Sequence, residues 1–129
     1  RVITGITSHG TRGPVVQPLT DPLYLDVTLQ PDASFKETID RGNNAFLYAI
    51  DGETMLENDN QHRVSIVKDQ LAILGEGDEI GVTAGPEGSR FLLIAGKPLG
   101  EPVARGGPFV MNTRDQINQA IEDYQSGRF

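Results

Sequence analysis

Leu23-Tyr24-Leu25-Asp26-Val27-Thr28-Leu29 is the stretch that decides the fold. Its leucines and valine alternate with Tyr24, Asp26 and Thr28, which is the period of a strand with one face in a core. Downstream, Phe35, Glu37 and Ile39 read as a short second strand after a Pro31-Asp32 turn. Phe46 through Ile50 is a third, closed by Asp51-Gly52, where glycine accepts the positive φ of a hairpin turn. Val64 and Ile66 begin another, Leu71 to Leu74 continues the sheet, and Gly75-Glu76-Gly77-Asp78 turns it back to Ile80 and Val82. Ala84-Gly85-Pro86-Glu87-Gly88 reads as one more turn. It precedes Phe91-Leu92-Leu93-Ile94-Ala95, a continuous apolar run suited to a strand covered on both faces. Short strands punctuated this often predict an all-β chain, an antiparallel barrel or sandwich.

The C-terminus breaks the pattern. Thr113-Arg114-Asp115-Gln116 fits a capping box, in which the Thr113 hydroxyl accepts from the Gln116 amide while the Gln116 side chain reaches back. Asp115 suits the positive end of a helix dipole. Ile117, Ala120, Ile121 and Tyr124 then fall on one helical face, and Gly127 is a suitable stop. The expected layout is one domain over residues 1–129, with the barrel to about 112 and the helix over about 113–126.

Composition narrows the chemistry. A chain of 129 residues can bury a core without staples. It has no cysteine, so disulfides, thiolate catalysis and iron–sulfur clusters are excluded within it. A formal charge of −7 with scattered basic residues argues against a nucleic-acid surface. The apolar runs are of strand length, which argues against a membrane-spanning helix. No secretory leader is visible, and an acidic balance is ordinary for a cytoplasmic domain, which is the expected location. A start at Arg1 rather than Met suggests a fragment.

Individual residues give little catalytic signal. His9, in Ser8-His9-Gly10, and His62 read as surface or hydrogen-bonding imidazoles. Ser65, His62 and Asp59 compose a triad on paper only, without a nucleophile elbow. Asn58-Asp59-Asn60 suggests calcium, but the spacing of a calcium loop is missing. Gly75-Glu76-Gly77 lacks both the spacing and the following helix of a dinucleotide fingerprint. Asp26, Glu37 and Asp40 could meet in a barrel mouth as an acid–base set, although paired carboxylates are more often surface features. Phe109, Val110 and Met111, beside an amphipathic helix, need a cover: this domain's own barrel or a partner surface.

Several ordered pieces resemble the second domain of the pirin family, two-domain proteins built from a pair of cupin barrels. They are Arg12-Gly13-Pro14-Val15, Tyr24 to Leu29, Gly42-Asn43-Asn44-Ala45-Phe46-Leu47-Tyr48 through Asp51-Gly52, Leu74 to Asp78, and Arg90 to Gly96. The most specific lie at the end, Glu101-Pro102-Val103 and Gly107-Pro108-Phe109-Val110-Met111-Asn112-Thr113. The resemblance implies a cupin-type antiparallel β-barrel, a jelly roll, with one C-terminal helix. In that family the metal sits in the first barrel. Here the places where cupin ligands would fall are near Ile39, Arg41, Ala45 and Gly88, none of them a metal ligand.

By the same resemblance, the intact parent is a bicupin similar to quercetin 2,3-dioxygenases. Iron or a related divalent metal is expected in an N-terminal cupin absent from this chain; eukaryotic pirin resembles a nuclear co-regulator of transcription. The expectation for this half is a non-catalytic domain with no catalytic residue, metal or cofactor of its own, packing on that N-terminal cupin. Phe109, Val110, Met111, Ile117 and Ile121 are the candidates for that packing, and exposing them would favour self-association. The alternative is a stand-alone cupin holding a small molecule in its barrel, with Arg41, Phe46 and Tyr48 as candidate lining.

Overall fold

A computed structural model describes residues 1–57 and 62–128 of the chain. They form two compact units, Arg1–Pro98 and a second beginning at Leu99. The strands of the first are β1 (Val2–Thr4), β2 (Leu23–Leu29), β3 (Ser34–Thr38), β4 (Asn44–Glu57), β5 (Arg63–Val67), β6 (Leu71–Ile73) and β7 (Glu79–Gly96). All pair antiparallel, in the order β1-β2-β7-β4-β5, with β3 on β7 and β6 on β4.

Two long strands organise this unit. The first part of β7 pairs with β3 (Ser34↔Thr83 to Thr38↔Glu79) and with the far end of β4 (Thr54↔Ala84 to Leu56↔Val82). Its second part pairs with β2 (Leu23↔Ala95 to Leu29↔Ser89) and with the near end of β4 (Asn44↔Gly96 to Ala49↔Phe91). One leaf is therefore β1-β2-β7-β4-β6 and the other β3-β7-β4-β5, with β4 and β7 running through both.

This corrects two readings of the sequence. Asp51-Gly52 and Gly85 to Gly88 do not reverse the chain; each lies inside a continuous strand. Gly52 (φ +70°) and Gly88 (φ +83°) bend the strands from one leaf into the other, and the ladder shifts register at Ala49/Asp51 and Gly52/Thr54. A Cβ on Gly52 would strike the Gly88 carbonyl oxygen, so the bend needs bare backbone.

The core fills the space between the leaves. Leu25, Val27, Leu47, Ala49, Phe91, Leu93 and Ala95 come from one leaf, and Ile66, Ile80 and Val82, with Ile39, from the other. Phe35 meets Phe91 edge-on across the gap, with ring centroids 6.0 Å apart. Leu92 and Ile94 are only half-buried, so Phe91–Ala95 is covered fully on one face rather than on both.

The second unit holds a hairpin and a helix. β8 (Ala104–Gly106) pairs with β9 (Phe109–Met111), two strands the sequence reading did not separate, and α1 spans Arg114–Gln125. The capping box forms as read: Thr113 Oγ1 accepts from the Gln116 amide at 3.2 Å, and Gln116 Oε1 accepts from the Thr113 amide at 3.0 Å. Such a cap stabilises a helix by about 1 kcal/mol. Gly127 (φ +70°) ends it, its amide donating to the Tyr124 carbonyl at 3.2 Å.

Candidate functional site

In the first unit the interior positions are set by β alternation. On β4, Leu47 and Ala49 face the core and are fully buried, while Phe46 and Tyr48 lie half-buried on the opposite, outer face. The β4 contribution to the interior is therefore Leu47 and Ala49, and the three candidate lining residues do not converge there. Phe46 joins Leu71, Ile73 and Leu74 around an outer groove of about 420 Å³. The Tyr48 hydroxyl donates to Asp69 Oδ1 at 3.2 Å, and that bond holds the phenol above its ordinary pKa. Arg41 lies exposed between β3 and β4 and pairs with Asp78 at 3.1 Å.

The positions where cupin ligands would fall carry the wrong chemistry for a metal. Ile39 is buried among apolar residues, Arg41 is an ion-paired cation, Ala45 is a methyl group, and Gly88 has no side chain, with the Leu29 carbonyl oxygen where a Cβ would be crowded. Among the described residues no group of three or more histidines and carboxylates comes together. His9 sits in an exposed turn, its Nδ1 3.3 Å from Ser8 Oγ, and His62 is exposed just before β5. His9 follows β1 and His62 precedes β5, the two ends of the strand order. The triad on paper loses its serine to another partner, since Ser65 Oγ donates to Glu53 Oε1 at 2.5 Å. Asp59 and the Asn58-Asp59-Asn60 calcium reading lie outside the described residues.

The three carboxylates considered as an acid–base set are also separated. Asp26 projects outward from β2 and takes a two-pronged contact from Arg90, Nε to Oδ1 at 3.0 Å and Nη2 to Oδ2 at 2.8 Å. Asp40 is exposed after β3. Glu37 points inward from β3 and is 2% exposed. Sequence reasoning noticed Glu37 but gave no hint of its burial, because one carboxylate in a period-two strand marks either face equally well.

The Arg90 hydrogen bonds hold the Asp26 carboxyl below its usual value of 3.8. A depressed folded-state value means that the pair's stabilisation is complete above the ordinary carboxylate range. It is lost as pH falls through the lowered value. Asp26→Asn is therefore expected to flatten the acid limb of the stability profile below about pH 4. Urea midpoints measured from pH 6 to pH 2 check this, and superimposable acid limbs would exclude it.

In the second unit, Ile117 and Ala120 are buried, and Ile117 approaches Gly106 so closely that no Cβ fits there. Phe109 meets Tyr124 edge-on at 6.1 Å, and Met111 and Ile121 are half-buried. Val110 alternates to the other side of β9 and is 59% exposed. Of the five packing candidates, Ile117 and Phe109 thus make contacts within their own unit, and Val110 presents the most open apolar surface.

The family model described as the pirin C-terminal cupin domain matches residues 24–129. A pirin-like protein of Caulobacter vibrioides is 41% identical over 129 residues, covering all of this chain and 45% of that protein. Human pirin is 43% identical over 110 residues, covering 84% of this chain and 38% of its own length. A crystal structure of quercetin 2,3-dioxygenase from Acinetobacter baumannii superposes with a TM-score of 0.87 at 29% identity, over all of this chain and 43% of that one. The chain spans less than half the length of these relatives.

Proposed function

Because the chain belongs to the pirin family as a C-terminal cupin domain, we propose that it is the non-catalytic half of a bicupin, packing against a metal-binding N-terminal cupin. The observation that carries this reading is the match to the C-terminal cupin within relatives more than twice as long. The donor set supports it: an isoleucine, a paired guanidinium, a methyl group and a hydrogen cannot hold a transition ion. Exposed apolar residues also support it, Val110 on β9 and, in the first unit, Ile73 at 83% exposure beside the outer groove. By likeness to the Acinetobacter enzyme, the whole protein is a quercetin 2,3-dioxygenase, with iron or a related divalent metal in its other half and none held here. A cytoplasmic location accompanies that proposal.

Elemental analysis of the purified chain should find no stoichiometric iron, copper or nickel, and the chain should not turn over quercetin with any of them added. Co-expression with the N-terminal half of the Caulobacter relative should yield a one-to-one complex that Val110→Asp weakens. One tightly held ion per chain, flavonol cleavage by the chain alone, or no complex would overturn the reading.

A further inference from the structure

Between β1 and β2 the chain doubles back on itself over residues 5–14. This excursion carries its own bonds: the Gly13 amide donates to the Gly5 carbonyl at 2.8 Å, Thr7 to the Thr11 carbonyl at 2.9 Å, and Gly10 to the Thr7 carbonyl at 2.8 Å. Its foot is wedged. A Cβ on Gly5 would strike the Pro22 carbonyl oxygen, and one on Gly13 the backbone of Ile3 and Thr4. Its tip lies open. Residues 7–12 include no apolar side chain that could anchor it, and a Cβ on Gly10 would meet nothing within 4 Å. Among the described residues, one hydrogen bond leads from residues 6–12 to anything outside the excursion: the Ser8 amide donates to Glu37 Oε1 on β3 at 2.5 Å.

Glu37 is 2% exposed, and its other oxygen, Oε2, is buried without a hydrogen-bond partner among the described residues. A carboxyl group withdrawn from water with one oxygen unbonded lowers stability, a cost that an apolar residue of similar volume would not carry. The nearest cations in sequence do not offset it, since Lys36 pairs with Glu79 and Arg41 with Asp78, all in solvent. What Glu37 does supply is the excursion's one outside bond. Ile6, near the foot, also lines a cavity of about 170 Å³ together with Ile39 and Ala95, both core residues. The excursion is thus one wall of an opening onto core side chains.

We propose that residues 6–12 form a strap that lifts from β3 while the barrel stays folded, turning at the Gly5–Gly13 pair, with the Glu37 carboxyl as its latch. Lifting hands the Ser8 amide to water, and closing restores the wall at Ile6. The device is separate from the packing role above and needs no second half. The test is native-state hydrogen exchange of the chain, followed by NMR in urea concentrations below the unfolding transition. The Ser8 amide should be protected roughly a hundredfold less than those of Leu47 and Phe91, which lie on strands flanked on both sides. Low urea should leave the Ser8 rate unchanged, because lifting exposes little surface. Gly13, at the pivot, should be better protected than Ser8. Glu37→Leu should raise Ser8 exchange relative to the core amides by about tenfold, whereas Glu37→Gln, which keeps an acceptor, should hold it within about threefold. The proposal is overturned by a Ser8 amide that follows urea together with the core amides, or by a Gly13 amide that exchanges as fast as Ser8. An unchanged Ser8 rate in folded Glu37→Leu, or an equal rise in Glu37→Gln, overturns it as well. Where Glu37→Leu does not fold, the urea dependence of Ser8 in the unsubstituted chain decides.

Discussion

Phe91→Ala should cost about 3–5 kcal/mol of folding free energy. The ring is fully buried at the centre of β7, meets Phe35 edge-on, and contacts the interior of both leaves. Truncation removes the transfer energy of the aromatic group and leaves a cavity that the surrounding strands can only partly close. Neither leaf is free to collapse inward, because each is pinned by the same two long strands. Since domains of this size have about 5–15 kcal/mol in hand, the variant should be close to unfolding at 37 °C. Urea denaturation read by near-ultraviolet circular dichroism checks this. A loss below about 1 kcal/mol, the size expected of a surface change, would mean that the interior is not packed as described. Leu92→Ala, one residue along on the half-buried face, should cost markedly less.

Gly52→Ala is the second large effect expected, on the order of 3 kcal/mol from left-handed backbone strain and steric overlap together. The added methyl group meets the Gly88 carbonyl oxygen, which is main chain and cannot rotate aside. Gly10→Ala separates the two causes. Its φ is also positive, at +81°, but a Cβ there meets nothing within 4 Å. Only the conformational part, about 1–2 kcal/mol, should appear. Equal losses at the two positions, measured by thermal denaturation under identical conditions, would refute the role assigned to the Gly52–Gly88 contact.

Much of this architecture is legible in the sequence. β2 follows the alternation of Leu23 to Leu29, and α1 begins where Thr113 and Gln116 place it. Those features are local, and their residues state them directly. The misread places were those where one local signal serves two geometries. A glycine of positive φ can close a hairpin or bend a strand, and only the strands packed on either side select between them. This is why Asp51-Gly52 looked like an end and proved to be a corner. The candidate lining residues illustrate the same limit. Period two places Phe46 and Tyr48 together, but it does not say which face is inside. The short pair β8 and β9 escaped notice because three residues are too few to display a period. The burial of Glu37 was invisible for another reason: the amide its carboxylate accepts from belongs to Ser8, 29 residues away in sequence.

That β4 and β7 each belong to both leaves has a consequence for how the molecule could be taken apart. A sandwich of two self-contained sheets could part along its midplane, one layer melting while the other persists. Here any rupture of one layer travels along the shared strands into the next, so the first unit should melt as one cooperative block. The same sharing limits genetic rearrangement. New termini opened inside either long strand would sever both layers at once, whereas the connections outside those strands can be cut and rejoined with the weave intact.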